Sequence, residues 1–545
     1  MDELFYFPVY FGFLILLSPL FGYFMAYLLN AKSLPGESWI LSFLFSGAPK
    51  EQTSKEYLKS LFTFHLLLGV FSFLILRFQN RLPLNPIHLP GMNWDLALNT
   101  CISFLTNTNW QAYSGESQLS YFSQMVGLAP LNFLSAGVGL SVLMFVGRAI
   151  SASSESVFGN FWRDLYRSVF YILLPLSVII AFLLVGEGVV QTFLDPVVIN
   201  GISGNVQTIP LGPVASQVAI KQLGTNGGGF YGVNSAHPLE NPTPISNFIQ
   251  LFAILLLPGS CVFLYGKLVG SFRHAWTIFF VMLLSITLAF TGAYLSENTG
   301  ASAWEGKETR FNLVESTLWM TATTAASNGS VNSMHDSFSP LAGGIGLFQI
   351  MLGEVIFGGV GAGMYGMFLF LILTVFLSGL MTGRTPEYLG KKIGKFEIKW
   401  TLVGILAPTF CILIGTVVSI FLKSGYSAHG PHALSQILYA FSSASNNNGS
   451  AFAGFSADTL WGNLSLGFSM LIGRFVVIAS VIFVSSSLGK KIKAEASEGN
   501  FKTDTALFGI LLLSILLLVC GLSFFPVIVL GPIFEHILML NGDLF

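Results

Sequence analysis

Four short runs of small polar residues interrupt an otherwise apolar chain: Thr106-Asn107-Thr108-Asn109-Trp110-Gln111, Thr225-Asn226-Gly227-Gly228-Gly229-Phe230, Ser327-Asn328-Gly329-Ser330 and Asn447-Asn448-Gly449-Ser450. With Asn107, Asn226, Asn328 and Asn448 taken as equivalent, the intervals are 119, 102 and 120 residues. Such loops carry little but carbonyl, amide and hydroxyl groups. A cation leaving water must regain oxygen ligands, and backbone carbonyls supply them without adding net charge. Gly227, Gly228 and Gly229 can turn their carbonyls toward a common axis because glycine accepts backbone angles that other residues resist. Asparagine tolerates similar geometry, and its amide can tie one loop to the next. No Asp or Glu stands in the four runs. A neutral oxygen set suits a dehydrated monovalent ion better than Ca²⁺ or Mg²⁺, whose sites usually include carboxylates.

The segments around these loops must hold them inside a membrane. Of the 545 residues, 53% are hydrophobic and only 9% charged, against about 25% charged in soluble domains. Spans of about 20 apolar residues are expected at 4–29, 58–78, 122–147, 167–190, 244–267, 274–296, 346–382, 400–422, 460–487 and 505–533, ten in all. The first is too long and too acidic at its start for a signal peptide and reads as a retained helix. The segment 346–382 is too long for one straight crossing, and its glycines mark a break or an internal loop. Half-length segments at 93–106, 211–224, 309–326 and 431–445 each precede a polar loop. The expected fold is therefore an all-α polytopic membrane protein with four repeats of helix, half-helix, loop and helix (58–148, 167–268, 274–385 and 400–488). One further helix stands at each end, in 1–30 and 505–533. A non-helical loop is tolerated at membrane depth only where protein buries it or a water-filled path meets it, so four such loops point to one ion path.

Lys and Arg set the expected orientation. The stretches 30–59, 148–167, 267–273, 384–399 and 490–502 hold 18 of the 25 basic residues and alternate with the sides bearing the polar loops. By the positive-inside rule the basic stretches are cytoplasmic, and both termini and all four loops face outward. Net charge near zero gives no reason to expect a nucleic-acid partner. Cys101, Cys261, Cys411 and Cys520 are scattered through apolar segments without metal-ligand spacing, and read as small buried residues. Two charges fall within apolar segments. Arg474 lies mid-helix beyond the fourth loop, where an unpaired charge is expensive; it reads either as a barrier to passive leakage or as a structural ion. Glu354, in the glycine-rich stretch, reads as an ion relay or a partner for it.

Leu223-Gly224-Thr225-Asn226-Gly227-Gly228-Gly229-Phe230, with Asn234–Pro238 and Glu240–Thr243 after it, resembles the potassium-binding subunit family of the bacterial Kdp potassium-transporting ATPase. Thr106–Gln111, Gly383–Lys392 and Ser445–Phe452 resemble it too, and the likeness runs the length of the chain. The resemblance implies a channel-like fold, K⁺ as the transported ion, and an inner-membrane complex. Its expected partners are a P-type ATPase catalytic subunit and two small membrane subunits, of the KdpB, KdpC and KdpF kinds. It also implies a lateral tunnel leading from beneath the filter to the ATPase subunit. Gln111 matches a family position tied to ion affinity, Arg474 matches the family's intramembrane basic residue, and Phe370 and Arg384 would lie on the helix bordering the tunnel. The first loop lacks glycine, as it does in the family, so which oxygens of Thr106, Asn107, Thr108 and Asn109 face the ion stays open.

Neither a GxxxxGK[ST] phosphate loop nor an Asp-Lys-Thr-Gly phosphorylation run occurs in the sequence. The expectation is a non-hydrolysing, potassium-binding subunit of an ATP-driven pump, binding no nucleotide itself. It would be coupled to its ATPase partner along 384–399 and the glycine-rich helix. The alternative is a self-contained, channel-like potassium uptake protein, which would share the four loops.

Overall fold

Among the described residues of the computed structural model, ten helices are long and apolar enough to cross a bilayer. The structure describes residues 6–37, 40, 50–201, 204–298, 304–494 and 502–542. The terminal residues expected to face outward, and parts of the basic stretches 30–59 and 490–502, lie outside the described residues. In chain order the helices are α1 (Tyr6–Leu29), α2 (Ser54–Arg77), α3 (Trp94–Leu105), α4 (Ser123–Ser151), α5 (Phe161–Gly186), α6 (Val214–Leu223), α7 (Pro244–Val269), α8 (Phe272–Glu297), α9 (Leu313–Ala325), α10 (Pro340–Met351), α11 (Ala362–Met381), α12 (Lys395–Leu422), α13 (Gly430–Ser445), α14 (Leu460–Gly489) and α15 (Ala506–Leu540). Two small antiparallel hairpins lie outside them: β1 (Val197–Asn200) with β2 (Val206–Ile209), and β3 (Glu387–Tyr388) with β4 (Lys391–Lys392).

The helix starts are written locally. Asn312 caps α9 by accepting from the Glu315 amide at 2.8 Å while the Glu315 carboxylate accepts from the Asn312 amide at 3.0 Å. Thr243 does the same for α7 with Ser246, and Pro244 occupies the first helical position, where a missing N–H does no harm. At the other end of α7, Gly270 stops the helix at φ +77°.

Burial sorts the spans into a core and a lipid face. In α4 and α7, 83% of the central window is buried, against 28% in α2, α5 and α12. The inner face of α4 is built from small residues (Ser135, Ala136, Gly137, Gly139, Ser141), and a Cβ on Gly139 would strike the backbone of Val360. Small residues let membrane helices and loops approach this closely. The outer helices turn large apolar side chains such as Phe182, Phe421 and Leu522 outward, as lipid contact requires.

The long glycine-rich segment is broken. Helix α10 ends at Met351 and α11 begins at Ala362, and the intervening turns carry positive φ at Gly353, Glu354, Phe357, Gly358 and Gly361. This non-helical stretch is buried in protein, with the Gly358 amide bonded to Ala325 O at 2.9 Å and the Val360 amide to Thr225 Oγ1 at 2.9 Å. It thereby underpins the second and third polar loops. The Gly383–Lys392 motif ends in the β3–β4 hairpin, of which Tyr388 and Lys391 are buried. The Tyr388 hydroxyl lies 2.8 Å from that of Tyr265 and 2.9 Å from His274 Nε2, and Lys391 Nζ donates to Ala149 O at 3.0 Å. Within 384–399, the exposed residues include Arg384, Lys392, Lys395 and Lys399.

Candidate ion-binding site

Helices α3, α6, α9 and α13 contain 12, 10, 13 and 16 residues, or about 15–24 Å at 1.5 Å per residue, which is short of the ~30 Å hydrocarbon core. Each ends in the same turn. A residue with positive φ (Asn107 66°, Thr225 49°, Ser327 50°, Asn447 61°) is followed by an amide that bonds back five residues, Thr108 to Ser103, Asn226 to Lys221, Asn328 to Thr323 and Asn448 to Ser443. This corrects the sequence alignment of the first loop. Asn107 is equivalent to Thr225, Ser327 and Asn447, while Thr108 matches Asn226, Asn328 and Asn448, so the intervals become 118, 102 and 120 residues. Matching by side-chain identity picked the asparagine; the backbone turn picks the residue that adopts the left-handed conformation, which asparagine also favours.

The four loops close a ring in chain order. From the first to the second, Asn107 Nδ2 donates to Thr225 O at 2.8 Å and Asn226 Nδ2 to Asn107 Oδ1 at 2.6 Å. Between the second and third, Asn328 Nδ2 donates to Lys221 O at 3.3 Å and Ser330 Oγ to Gln222 Oε1 at 2.8 Å. Ser327 Oγ donates to Asn447 O at 2.7 Å, and Asn448 Nδ2 to Thr323 O at 3.0 Å, joining the third to the fourth. Asn447 Nδ2 completes the circuit by donating to Thr108 Oγ1 at 2.9 Å. One step further along, a Cβ on Gly227 would strike Gly329, one on Gly329 would lie 2.6 Å from the Gly449 carbonyl carbon, and one on Gly449 would strike Thr108 O. Three glycines at equivalent positions are thus needed for the loops to converge. Asn109 holds the fourth position, at φ 54°.

Gln111 clasps the second loop at two points: Nε2 donates to Gly229 O at 3.1 Å and Oε1 accepts from the Gly229 amide at 2.9 Å. Asn109 Nδ2 donates to Asn132 Oδ1 at 2.7 Å. The ring separates two cavities. The wider one, about 650 Å³, is lined by Asn109, Gln111, Gly228, Gly329, Gly449 and Ser450 among others. A narrower one, about 80 Å³, meets the opposite end of the loops at Ser327, Asn446 and Asn447 and is also lined by Glu354, Phe370 and Arg474. Space on that scale holds several waters, at about 10–15 Å³ each by this measure.

Arg474 and Glu354 share the narrow cavity without pairing among the described residues. Arg474 is 4% exposed; its Nη2 donates to Ser135 O at 3.1 Å and its Nε has no partner. Both Glu354 oxygens lack a hydrogen bond, with Ser327 and Asn448 as polar neighbours. Phe370 stands on the wall of this cavity, on α11. Arg384 does not lie on that helix. The helix stops at Met381, Gly383 follows at φ 67°, and Arg384 continues in the loop with its amide bonded to Gly379 O at 2.9 Å.

A set of residues unremarked in the sequence ties each loop to its half-helix. Ser103 Oγ donates to Trp110 O at 3.0 Å, Thr323 Oγ1 to Ser330 O at 2.8 Å, and Ser443 Oγ accepts from the Gly449 amide at 2.9 Å. In the second repeat the tie is Lys221, whose Nζ donates to Gly228 O at 2.9 Å and pairs with Glu240. The lysine within a half-helix is visible in the sequence, but its depth is not.

Short helices ending in polar loops that meet at one axis between two cavities define a polytopic membrane protein of the channel-like, pore-helix class. The fold agrees: the crystal structure of the potassium transporter TrkH from Vibrio parahaemolyticus superposes with a TM-score of 0.54 over 85% of this chain and 95% of that one, at 16% identity. Within that class, the family model described as potassium-transporting ATPase A subunit matches residues 9–537, and the chain belongs to that family. Relatives named potassium-transporting ATPase potassium-binding subunit include one from Leptospira interrogans serogroup Icterohaemorrhagiae serovar copenhageni, 53% identical over 540 residues and 97% of both chains. One from Pseudomonas aeruginosa is 49% identical over 502 residues, or 89% of both.

Proposed function

We propose that the ring is a selectivity filter at which this chain binds K⁺, as the potassium-binding and translocating subunit of an ATP-driven, high-affinity uptake complex. The observation that carries the reading is the closed ring of four oxygen-rich loops between two cavities, in a chain of this family. On this reading the oxygens of Thr106 to Asn109, Thr225 to Gly229, Ser327 to Ser330 and Asn447 to Ser450 replace the water shell of K⁺. The wider cavity is the outer mouth. The narrower one receives the ion, Arg474 opposes its direct escape to the cytosol, and Glu354 gives it a charged neighbour on the way out past Phe370. The four repeats take the boundaries set out above, with the loops outside the inner membrane and the basic stretches inside. ATP is hydrolysed by a partner P-type subunit, two small membrane subunits complete the assembly, and this chain binds no nucleotide.

The test is K⁺-stimulated ATP hydrolysis by membranes holding this chain with its co-purifying partners, against this chain alone. Stimulation that needs the partners, and whose K⁺ dependence shifts with Gly227→Ala, is the expected result. Passive K⁺ flux through the lone chain, with no ATPase retained, would make it a channel-like uptake protein instead.

A further inference from the structure

Three of the four loops are tied to their half-helix by a neutral hydroxyl, on Ser103, Thr323 or Ser443, and the second by an ammonium. The exception coincides with the loop that carries three consecutive glycines, Gly227 to Gly229. Glycine backbone is the most pliable there is, so this loop has the most freedom to let its carbonyls wander. Charge-assisted hydrogen bonds are roughly twice as strong as neutral ones. Lys221 is fully buried, and its own carbonyl accepts from the amides of Asn226 at 2.8 Å and Gly227 at 3.3 Å and from Asn328 Nδ2 at 3.3 Å. One residue therefore grips both limbs of the second loop and touches the third.

A bare cation in this place would repel the ion that the ring is meant to hold. Glu240, also fully buried, pairs with Lys221 and makes the site neutral overall. Glu240 is itself held: the Tyr231 amide points at its carboxylate Oε2 from 3.5 Å, and Gln250 Nε2 donates to its main-chain carbonyl at 3.0 Å.

We propose that Lys221, neutralised by Glu240, is the positioning residue that fixes the carbonyls of the second loop and so sets discrimination among monovalent cations. The inference rests on the filter reading. It is tested in the assembled complex by titrating ATPase activity with K⁺, Rb⁺ and Na⁺ separately, for Lys221→Met/Glu240→Gln, Glu240→Gln and Gly228→Ala chains. Removing one member of a buried pair strands the other charge, whereas removing both is often tolerated, so the double variant is the cleaner probe of the tether. It should narrow the ratio of half-activating Na⁺ to K⁺ by about tenfold, the worth of one charge-assisted hydrogen bond. Glu240→Gln keeps the tether but loses the neutralising charge, and should raise the half-activating concentration of all three ions in parallel. A double variant with the wild-type ratio, beside a Gly228→Ala chain whose ratio moves, overturns the role of Lys221 and leaves the filter standing. If Gly228→Ala does not move it either, the filter reading falls with it. Failure of even the isosteric Glu240→Gln chain to assemble would assign the pair to folding alone and overturn the proposal.

Discussion

The ring and the narrow cavity beneath it are adjacent, yet they differ in what their polar groups meet: those of the ring bond mostly to one another, with Asn109 Oδ1 and Asn226 Oδ1 left over, and the two ionisable side chains of the cavity hardly do so. Side-chain amides and hydroxyls cross between all four pairs of neighbouring loops. In the cavity, by contrast, the Nε of Arg474 has no hydrogen bond among the described residues, and neither oxygen of Glu354 has a well-formed one, although Ser327 and Asn448 adjoin its carboxyl group. A buried polar group without a protein bond is normally rare and calls for water, an ion or a functional role. On the proposed function, the contrast separates two tasks. Discrimination by size requires ligand oxygens that do not follow the ion inward, and a rigid ring supplies that. Transit requires groups free to exchange partners as an ion and its waters pass, and satisfied groups would be poor at it.

Changes in the ring should therefore alter which ion is chosen, and changes in the cavity where the chosen ion goes. The largest effect is expected for Gly227→Ala. Its φ of 83° disfavours any side chain, and the new Cβ meets Gly329 across the ring. Strain on the order of 3 kcal/mol corresponds to a loss of about a hundredfold in K⁺ affinity, with relaxed discrimination against Na⁺. Measured ion titration of the complex's ATPase checks this; unchanged affinity and ratio would remove the second loop from the filter.

Arg474→Ala comes next and should break the other half of the comparison. The ratio among ions stays as it was, while net K⁺ uptake per ATP falls about tenfold through leakage once the cation's barrier is gone. Parallel assays of uptake and hydrolysis in proteoliposomes would show it. A tight, fully coupled variant would make Arg474 a structural ion held by Ser135, and a changed ion ratio would mean the two regions are not separable. Gln111→Ala is a smaller intrusion at the ring's wide end. It removes two neutral hydrogen bonds to Gly229, about 0.5 kcal/mol each at this part-buried site, so K⁺ affinity should weaken about fivefold. If the carbonyl of Gly229 is held by the loop itself, the change will be negligible.

The ten spans, the four half-helices and the broken glycine-rich segment were legible because they are written in local composition: apolar length, polar interruptions, and glycines where a helix cannot continue. The contacts that make four loops into a ring were not, since they join residues about 100 to 120 positions apart or, for Asn447 and Thr108, at opposite ends of the repeat series. The register of the first loop was misread because the position matching Asn226, Asn328 and Asn448 is held by Thr108, with an asparagine on either side of it, and only the backbone turn shows this. Arg384 was set on a helix although Gly383, the residue before it, is the usual kind of helix stop. Lys221 was not legible as a buried charge because a lysine in a segment too short to span a bilayer gives no sign of its depth, whereas Arg474 stands about ten residues from either end of a full span.

The smallest effect lies outside both regions and tests whether the ring can be insulated from the rest of the chain. His432, at the start of α13, bridges Asp336 Oδ1 at 3.0 Å and Glu535 Oε1 at 2.8 Å, tying the fourth half-helix to the third repeat and to α15. Gln436 also faces Asp336, and Ser435 faces Glu535. Burial alone would lower the imidazole's pKa, but the hydrogen bonds and charges of Asp336 and Glu535 outweigh it and push it from 6.5 up to about 10. The folded state thus holds a proton that the unfolded chain releases near 6.5. Its contribution to stability is complete below about 6.5, declines as pH rises, and is gone above about 10. Above that range two carboxylates face each other with no cation between them. The apparent melting temperature of the complex should therefore fall between about pH 7 and about pH 10, and the fall should be shallower in His432→Gln, which cannot take up that proton. The ratio of half-activating Na⁺ to K⁺ should be the same in His432→Gln as in the wild type at each pH of this range, because neighbouring loops are joined to one another by amides and hydroxyls, which do not titrate there. A ratio that drifts with pH in the wild type but not in His432→Gln would mean that the outer bridge and the ring move as one body.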